Sequence, residues 1–124
     1  MSDTGSISLS VANGTESVVL IGPKIQTPKD TSFVLTIVSV TLYAGASASG
    51  YWRVFLRQGT TTAGAANPRY YTQDYAAGVD NESGCFIWTQ TANFTDYVQN
   101  CFTVNNNGTS SITVYGASML VVTF

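Results

Sequence analysis

The side chains that most often carry reactions at neutral pH are nearly missing from this sequence. It has no histidine, so neither a Ser-His-Asp nor a Cys-His pair can form, and the commonest general base is gone. Carboxylates remain. Asp80 and Glu82 lie two positions apart in a stretch that reads as a connection. Nothing there makes them converge on one bond as a glycosidase pair must, and they read as solvated turn residues. The run Asp80-Asn81-Glu82-Ser83 offers oxygens of the kind calcium takes but lacks the ligand spacing of a full binding loop. Two cysteines, Cys85 and Cys101, are too few for a tetrahedral zinc site without histidine. They flank a region that reads as a hairpin, which leaves two readings open, a disulfide or two buried thiols acting as small apolar groups. No Gly-rich phosphate loop opens a helix. The expectation is a protein that is not an enzyme and holds no cofactor and no metal.

What is left is binding chemistry. Tyr70, Tyr71 and Tyr75 stand beside Arg69 in a loop-rich stretch. Flat phenol rings next to a guanidinium suit a sugar ring or a protein surface, and for these tyrosines core and interface are equally open readings. Trp52 and Trp88 read as core. Arg53 and Arg57 could add hydrogen bonds to the same surface as Arg69. Four Asn-X-Ser/Thr triplets, at Asn13, Asn81, Asn93 and Asn107, read as turn chemistry and not as glycosylation sites.

Composition narrows the partner. Hydrophobic residues make up 44% of the chain and charged residues 10%, against roughly 25% charged in a typical soluble domain. The net charge is −2, and Lys24, Lys29, Arg53, Arg57 and Arg69 form no basic run, so nucleic acid is not an expected partner. No apolar stretch approaches the roughly 18 residues of a membrane helix, and the polar start Met1-Ser2-Asp3-Thr4-Gly5-Ser6 lacks the features of a secretory signal. Synthesis in a cytoplasm is expected. At 124 residues the chain reads as one domain over 1–124, with 1–5 a flexible N-terminal segment.

Strand signals dominate and helical periodicity is absent. Ile7, Leu9 and Val11 alternate with serines, and Asn13-Gly14 closes that strand. Ser17 to Ile21 is a short apolar run, and Pro23 and Pro28 bracket an extended linker. Ser32 to Tyr43 is the longest strand. Phe33, Leu35 and Ile37 point one way and Val34, Val38, Val40 and Leu42 the other, so both faces are apolar; one must pack in the core and the other against a second chain. Tyr51 to Gln58 alternates Trp52, Val54 and Leu56 with Tyr51, Arg53, Phe55 and Arg57. Arg69 to Asp74, Cys85 to Gln90 and Asp96 to Val104 read as strands, and Asn105-Asn106-Asn107-Gly108 is the strongest turn signal in the chain. Ser111 to Tyr115 and Ala117 to Phe124 complete the pattern. The expected fold is all-β, a two-sheet jelly-roll sandwich of about eight strands.

The last third, Ser111-Ile112-Thr113-Val114-Tyr115-Gly116-Ala117-Ser118-Met119-Leu120-Val121-Val122-Thr123-Phe124, resembles the end of the domain shared by C1q and tumour-necrosis-factor-like proteins. There a penultimate strand and a small-residue break lead into a final apolar strand. Phe33 to Leu42 followed by Trp52 to Arg57 resembles the middle of that domain. The resemblance implies a compact homotrimer, with Phe33, Leu35, Ile37, Tyr115, Met119 and Val121 at the subunit interface near the threefold axis. Domains of this kind serve as phage capsid decoration proteins, head fibres and fibre-tip knobs, and as some lectins. The chain has no collagen-like stalk. The implied role is a virion surface structural protein whose partners are its own copies and capsid or other virion proteins. The alternative is a carbohydrate-binding or receptor-binding module that meets cell-surface glycan through Arg69, Tyr70, Tyr71 and Tyr75.

Overall fold

The alternation of apolar and polar residues along the chain becomes ten β-strands in a computed structural model, which describes residues 2–26, 32–45, 48–75, 81–92 and 97–124. Lys29, Pro28, Asp80 and the triplet starting at Asn93 lie outside the described residues. The strands are β1 (Ser2–Val11), β2 (Glu16–Ile21), β3 (Ile25–Gln26), β4 (Ser32–Tyr43), β5 (Gly50–Gln58), β6 (Tyr71–Asp74), β7 (Asn81–Ala92), β8 (Tyr97–Val98), β9 (Asn100–Gly108) and β10 (Ile112–Thr123).

Eight of them form two four-stranded antiparallel sheets, ordered β1-β10-β4-β7 (sheet A) and β2-β9-β5-β6 (sheet B), while β3 and β8 pair separately. Among the eight, each strand hands the chain to the opposite sheet, except that β5 and β6 are neighbours in sheet B. This is jelly-roll connectivity, and it is what the sequence led us to expect.

Side chains with a period of two build the core between the sheets. Val38, Val40 and Leu42 from β4 meet Trp52, Val54 and Leu56 from β5, all at most 2% exposed. Trp52 packs edge-on against Phe86 at 5.8 Å between ring centroids, and Trp88 against Phe102 at 6.0 Å. Along the edge where β6 meets β7, Tyr71 Oη donates to the Ile87 carbonyl at 2.6 Å, and Trp88 Nε1 donates to the carbonyl of Arg69, just before β6, at 2.7 Å. The buried indole therefore keeps its donor satisfied.

Ser2 to Gly5 pair with Leu120 to Ala117. Two local expectations are corrected. Gly116 does not break the last strand. β10 runs through it, and the register with β4 slips between Val114 and Gly116, a bulge that turns the strand without ending it. The strongest turn signal is no turn: Asn105 to Gly108 belong to β9 and pair with Arg53 to Gly50. Gly108 is needed there for close packing, because a Cβ would stand 2.5 Å from the Tyr75 ring and 2.9 Å from the Ser49 carbonyl oxygen. The Asn13-Gly14 turn does form, with Gly14 at φ 76°, in the left-handed region that favours glycine.

Candidate functional site

The outward positions of β4, β7 and β10 in sheet A form one neutral surface. On β4 they are Phe33, Leu35, Ile37, Ser39, Thr41 and Tyr43; pairing sets Leu35 beside Val122 and Thr89, and Ile37 beside Leu120 and Ile87. Phe33 is 56% exposed, Ile87 47% and Leu120 40%. Ser39 and Ser118 share a hydrogen bond across the strands at 2.7 Å, and Tyr115 reaches over β4 to Asn81 Oδ1 at 3.2 Å. No outward position of β4, β7 or β10 is a charged residue. Four of the six interface residues expected from sequence, Phe33, Leu35, Ile37 and Tyr115, lie on this surface. Met119 and Val121 do not. Met119 is 1% exposed in the core and Val121 packs against it, because the bulge at Tyr115 reverses the alternation and turns Leu120 and Val122 outward.

Sheet B presents the opposite character. Along β5 the guanidinium of Arg53 lies 5.3 Å from the Tyr51 ring and 4.9 Å from Tyr70, Tyr70 lies 5.4 Å from Phe55, and Arg57 lies 4.8 Å from Phe55. Arg53 Nε donates to Thr72 Oγ1 at 3.0 Å. Arg57 grips Glu16 with two nitrogens, Nη2 at 2.9 Å, and Thr103 Oγ1 donates to the same carboxylate at 2.8 Å. Burial pushes the Glu16 carboxyl up, but the bonds from Arg57 and Thr103 and the charge of Arg57 outweigh it and hold it below its ordinary value. A carboxyl so depressed contributes stability above its unfolded value of about 4.3 and loses it as pH falls through the folded value. Glu16→Gln is expected to cost about 1–3 kcal/mol at pH 7 through lost charge-assisted bonds. The gap from wild type should narrow as pH drops below about 4.3, measured by urea unfolding across pH.

The residues expected to bind do not converge. Tyr70 and Arg69 are exposed, Tyr71 is half-buried against Phe86 and Trp88 with its hydroxyl spent on Ile87, and Tyr75 is 7% exposed. Tyr75 is a core residue. Burial first, and the charge of Glu82 second, raise its phenol well above the usual range. Its hydroxyl donates to Asn106 Oδ1 at 2.8 Å, and Gly108 N–H to the same oxygen at 2.9 Å. Asn106 Nδ2 donates to the carbonyls of Val11 and Ser110 at 3.0 and 2.8 Å. Asn106, 0% exposed, thereby uses all four of its side-chain bonds. It ties the end of β1 and the turn after β9 to Tyr75.

A groove at one end of the sandwich was not foreseen. One compartment, about 520 Å³, lies between the 58–69 segment and β7, lined in part by Asn67, Arg69 and Thr89. A second, about 330 Å³, includes Lys24 and Tyr97. Gln58, Gln90 and Asn100 line both. Asn100 Nδ2 donates to Gln90 Oε1 at 2.7 Å, and Lys24 Nζ lies 5.0 Å from the centre of the Tyr97 ring, itself 62% exposed.

The cysteines face away from each other. Cys85 is exposed on the outer face of sheet A beside Ser39, and Cys101 is buried in sheet B beside Arg57, its thiol donating weakly to the Thr61 carbonyl at 3.8 Å. The core lies between them, so no disulfide joins them. Burial raises the Cys101 thiol and keeps it inert. Among the described residues no three of Cys, Asp and Glu gather where a metal could be held.

No family profile matches the sequence, and no curated protein matches it. Its architecture does match solved structures. A chain in a structure of infectious bursal disease virus, Gx strain, superposes with a TM-score of 0.51 over 98% of this chain, at 10% identity. The likeness is one of fold. A chain of the VP2 subviral particle of the same virus gives a TM-score of 0.49 at 12% identity. This jelly roll spans about a third of those proteins, 31% and 32%. At 10% identity the likeness to the Gx-strain chain shows the fold alone, and the interaction surfaces must be argued from this chain's own residues.

Proposed function

We propose that this chain is a non-enzymatic structural protein of a virion, a homotrimeric capsid decoration or head-fibre knob on a phage-like particle, built as C1q and tumour-necrosis-factor-like knobs are. Made in the host cytoplasm, it would act at the virion surface. The observation that carries the reading is the outward face of sheet A. Monomeric proteins scatter apolar side chains and keep contiguous patches small. Here Phe33, Leu35, Ile37, Ile87, Leu120 and Val122 are contiguous across three strands, with serines and threonines around them and no charge among them.

The size fits a subunit contact. Twelve-residue strands at about 3.3 Å per residue, four abreast at about 4.8 Å, give a face of roughly 700 Å², close to the ~800 Å² each partner contributes to a standard interface. A neutral face of this kind suits a second copy of the same chain, since nothing on it repels itself. Many copies on a repeated lattice would then bind by multivalency.

The test is reconstitution: particles of the encoding virus that lack this protein are incubated with the purified chain and sedimented. Saturable attachment in multiples of three is expected, and no attachment overturns the decoration reading. Cys85 supplies a local check. In the assembly neither thiol should react with a thiol reagent, whereas a monomeric variant should expose Cys85 alone and denaturation should expose both.

A second reading, a lectin or receptor-binding fibre tip, is favoured by the groove that Gln58, Gln90 and Asn100 line.

A further inference from the structure

We infer that the groove is a binding site for an acidic oligosaccharide, one that carries carboxylates along a chain of sugar rings. The inference rests on the second functional reading and is independent of whether the face of sheet A assembles. Three features support it. The first is shape: two compartments of about 520 and 330 Å³ sharing Gln58, Gln90 and Asn100 make one elongated cleft, in the size range of small-molecule sites. A linear chain of rings fits such a cleft better than one compact ligand does.

The second feature is the lining. Side-chain amides both donate and accept, which matches sugar hydroxyls that do the same. Asn100 fixes Gln90 through its 2.7 Å bond to Oε1, leaving the Gln90 amino group to face a ligand from a held position. Tyr97, 62% exposed, offers a ring for the apolar face of a sugar.

Charge is the third. Arg69 belongs to one compartment and Lys24 to the other, and among the described residues no carboxylate lines either. The Arg57–Glu16 ion pair stands elsewhere, on the outer face of sheet B. The described part of the groove therefore has hydrogen-bonding walls and a cation in each half, which favours an anionic chain over a neutral one. The aromatic column around Arg53 is the competing site for the same chemistry, but it lies on an open sheet face and encloses nothing.

The experiment is calorimetric titration of the full chain with hexagalacturonate, maltohexaose and hexaglutamate, alongside the variants Gln90→Leu, Arg69→Ala and Arg53→Ala. Hexagalacturonate should bind more tightly than maltohexaose by about tenfold or more and weaken with salt. Gln90→Leu and Arg69→Ala should each lower its affinity by about tenfold, and Arg53→Ala should leave it unchanged. Equal binding of hexaglutamate overturns the sugar assignment, since charge alone would then suffice. Binding that survives Gln90→Leu and Arg69→Ala but is lost in Arg53→Ala moves the site to the column. A preference for maltohexaose overturns the acidic assignment while the lectin reading stands, and no binding of any saccharide up to millimolar concentration sinks both. Circular dichroism of each variant confirms that a loss of binding is not a loss of fold.

Discussion

Replacing Asn106 with leucine is expected to lower the unfolding free energy by about 3–5 kcal/mol, among the largest effects of any single substitution. Leucine has the same branched shape and is larger, so no cavity drives the loss. The change strands four partners in a buried place: the Tyr75 hydroxyl, the Gly108 N–H and the carbonyls of Val11 and Ser110. Each unsatisfied buried group costs about 1–3 kcal/mol, and the total is limited because some partners reorient or reach water. Asn106→Asp is a sharper probe. It keeps the shape and the acceptor for Tyr75 and Gly108, but turns the amino group that faces two carbonyls into an oxygen. The aspartate is expected to be destabilised by about 3 kcal/mol or more at pH 7 and to recover in part at low pH. There protonation restores one donor, so its folded carboxyl value lies above the unfolded one and stability falls as pH rises through it. Urea unfolding at several pH values measures both. A loss below 1 kcal/mol for leucine would show that Asn106 does not hold β1, Tyr75 and the turn after β9 together.

The second large effect concerns assembly. The pair Ile37→Lys and Leu120→Lys is expected to leave the chain folded and to make it monomeric. The two residues are partners across β4 and β10 and point outward, so in an isolated chain the ammonium groups stand in water and the cost to folding is small. In an assembled chain each would be buried against apolar surface without a partner, at several kcal/mol apiece. Sedimentation should show the loss of the oligomer with unchanged circular dichroism. An oligomer that persists in the double variant places the subunit contact elsewhere.

Much of the frame was legible from residue order. Trp52, Val54 and Leu56 alternating with Arg53, Phe55 and Arg57 fixes β5 and its faces, and the double apolar character of β4 already separates Val34, Val38 and Leu42 from Phe33, Leu35 and Ile37. What failed has identifiable physical causes. The resemblance groups Met119 and Val121 with Tyr115, but one residue of slip at Tyr115 reverses the faces and turns both inward. The run of asparagines before Gly108 has strong turn propensity, yet burial of the Asn106 amide among four partners outweighs it. The groove brings together residues from 24 to 100, which are distant in sequence and carry no spacing signal. The tyrosines were singled out by type alone, and burial separates Tyr75 from Tyr70.

The most direct test of the central claim is the native mass of the purified chain at micromolar concentration, before and after reduction. An assembling jelly roll joined through the neutral face of sheet A should give three times the chain mass. Reduction should not change it, because the two thiols are free. A dimer would keep the face and contradict the threefold arrangement, and a clean monomer in both conditions would contradict the account of that face altogether.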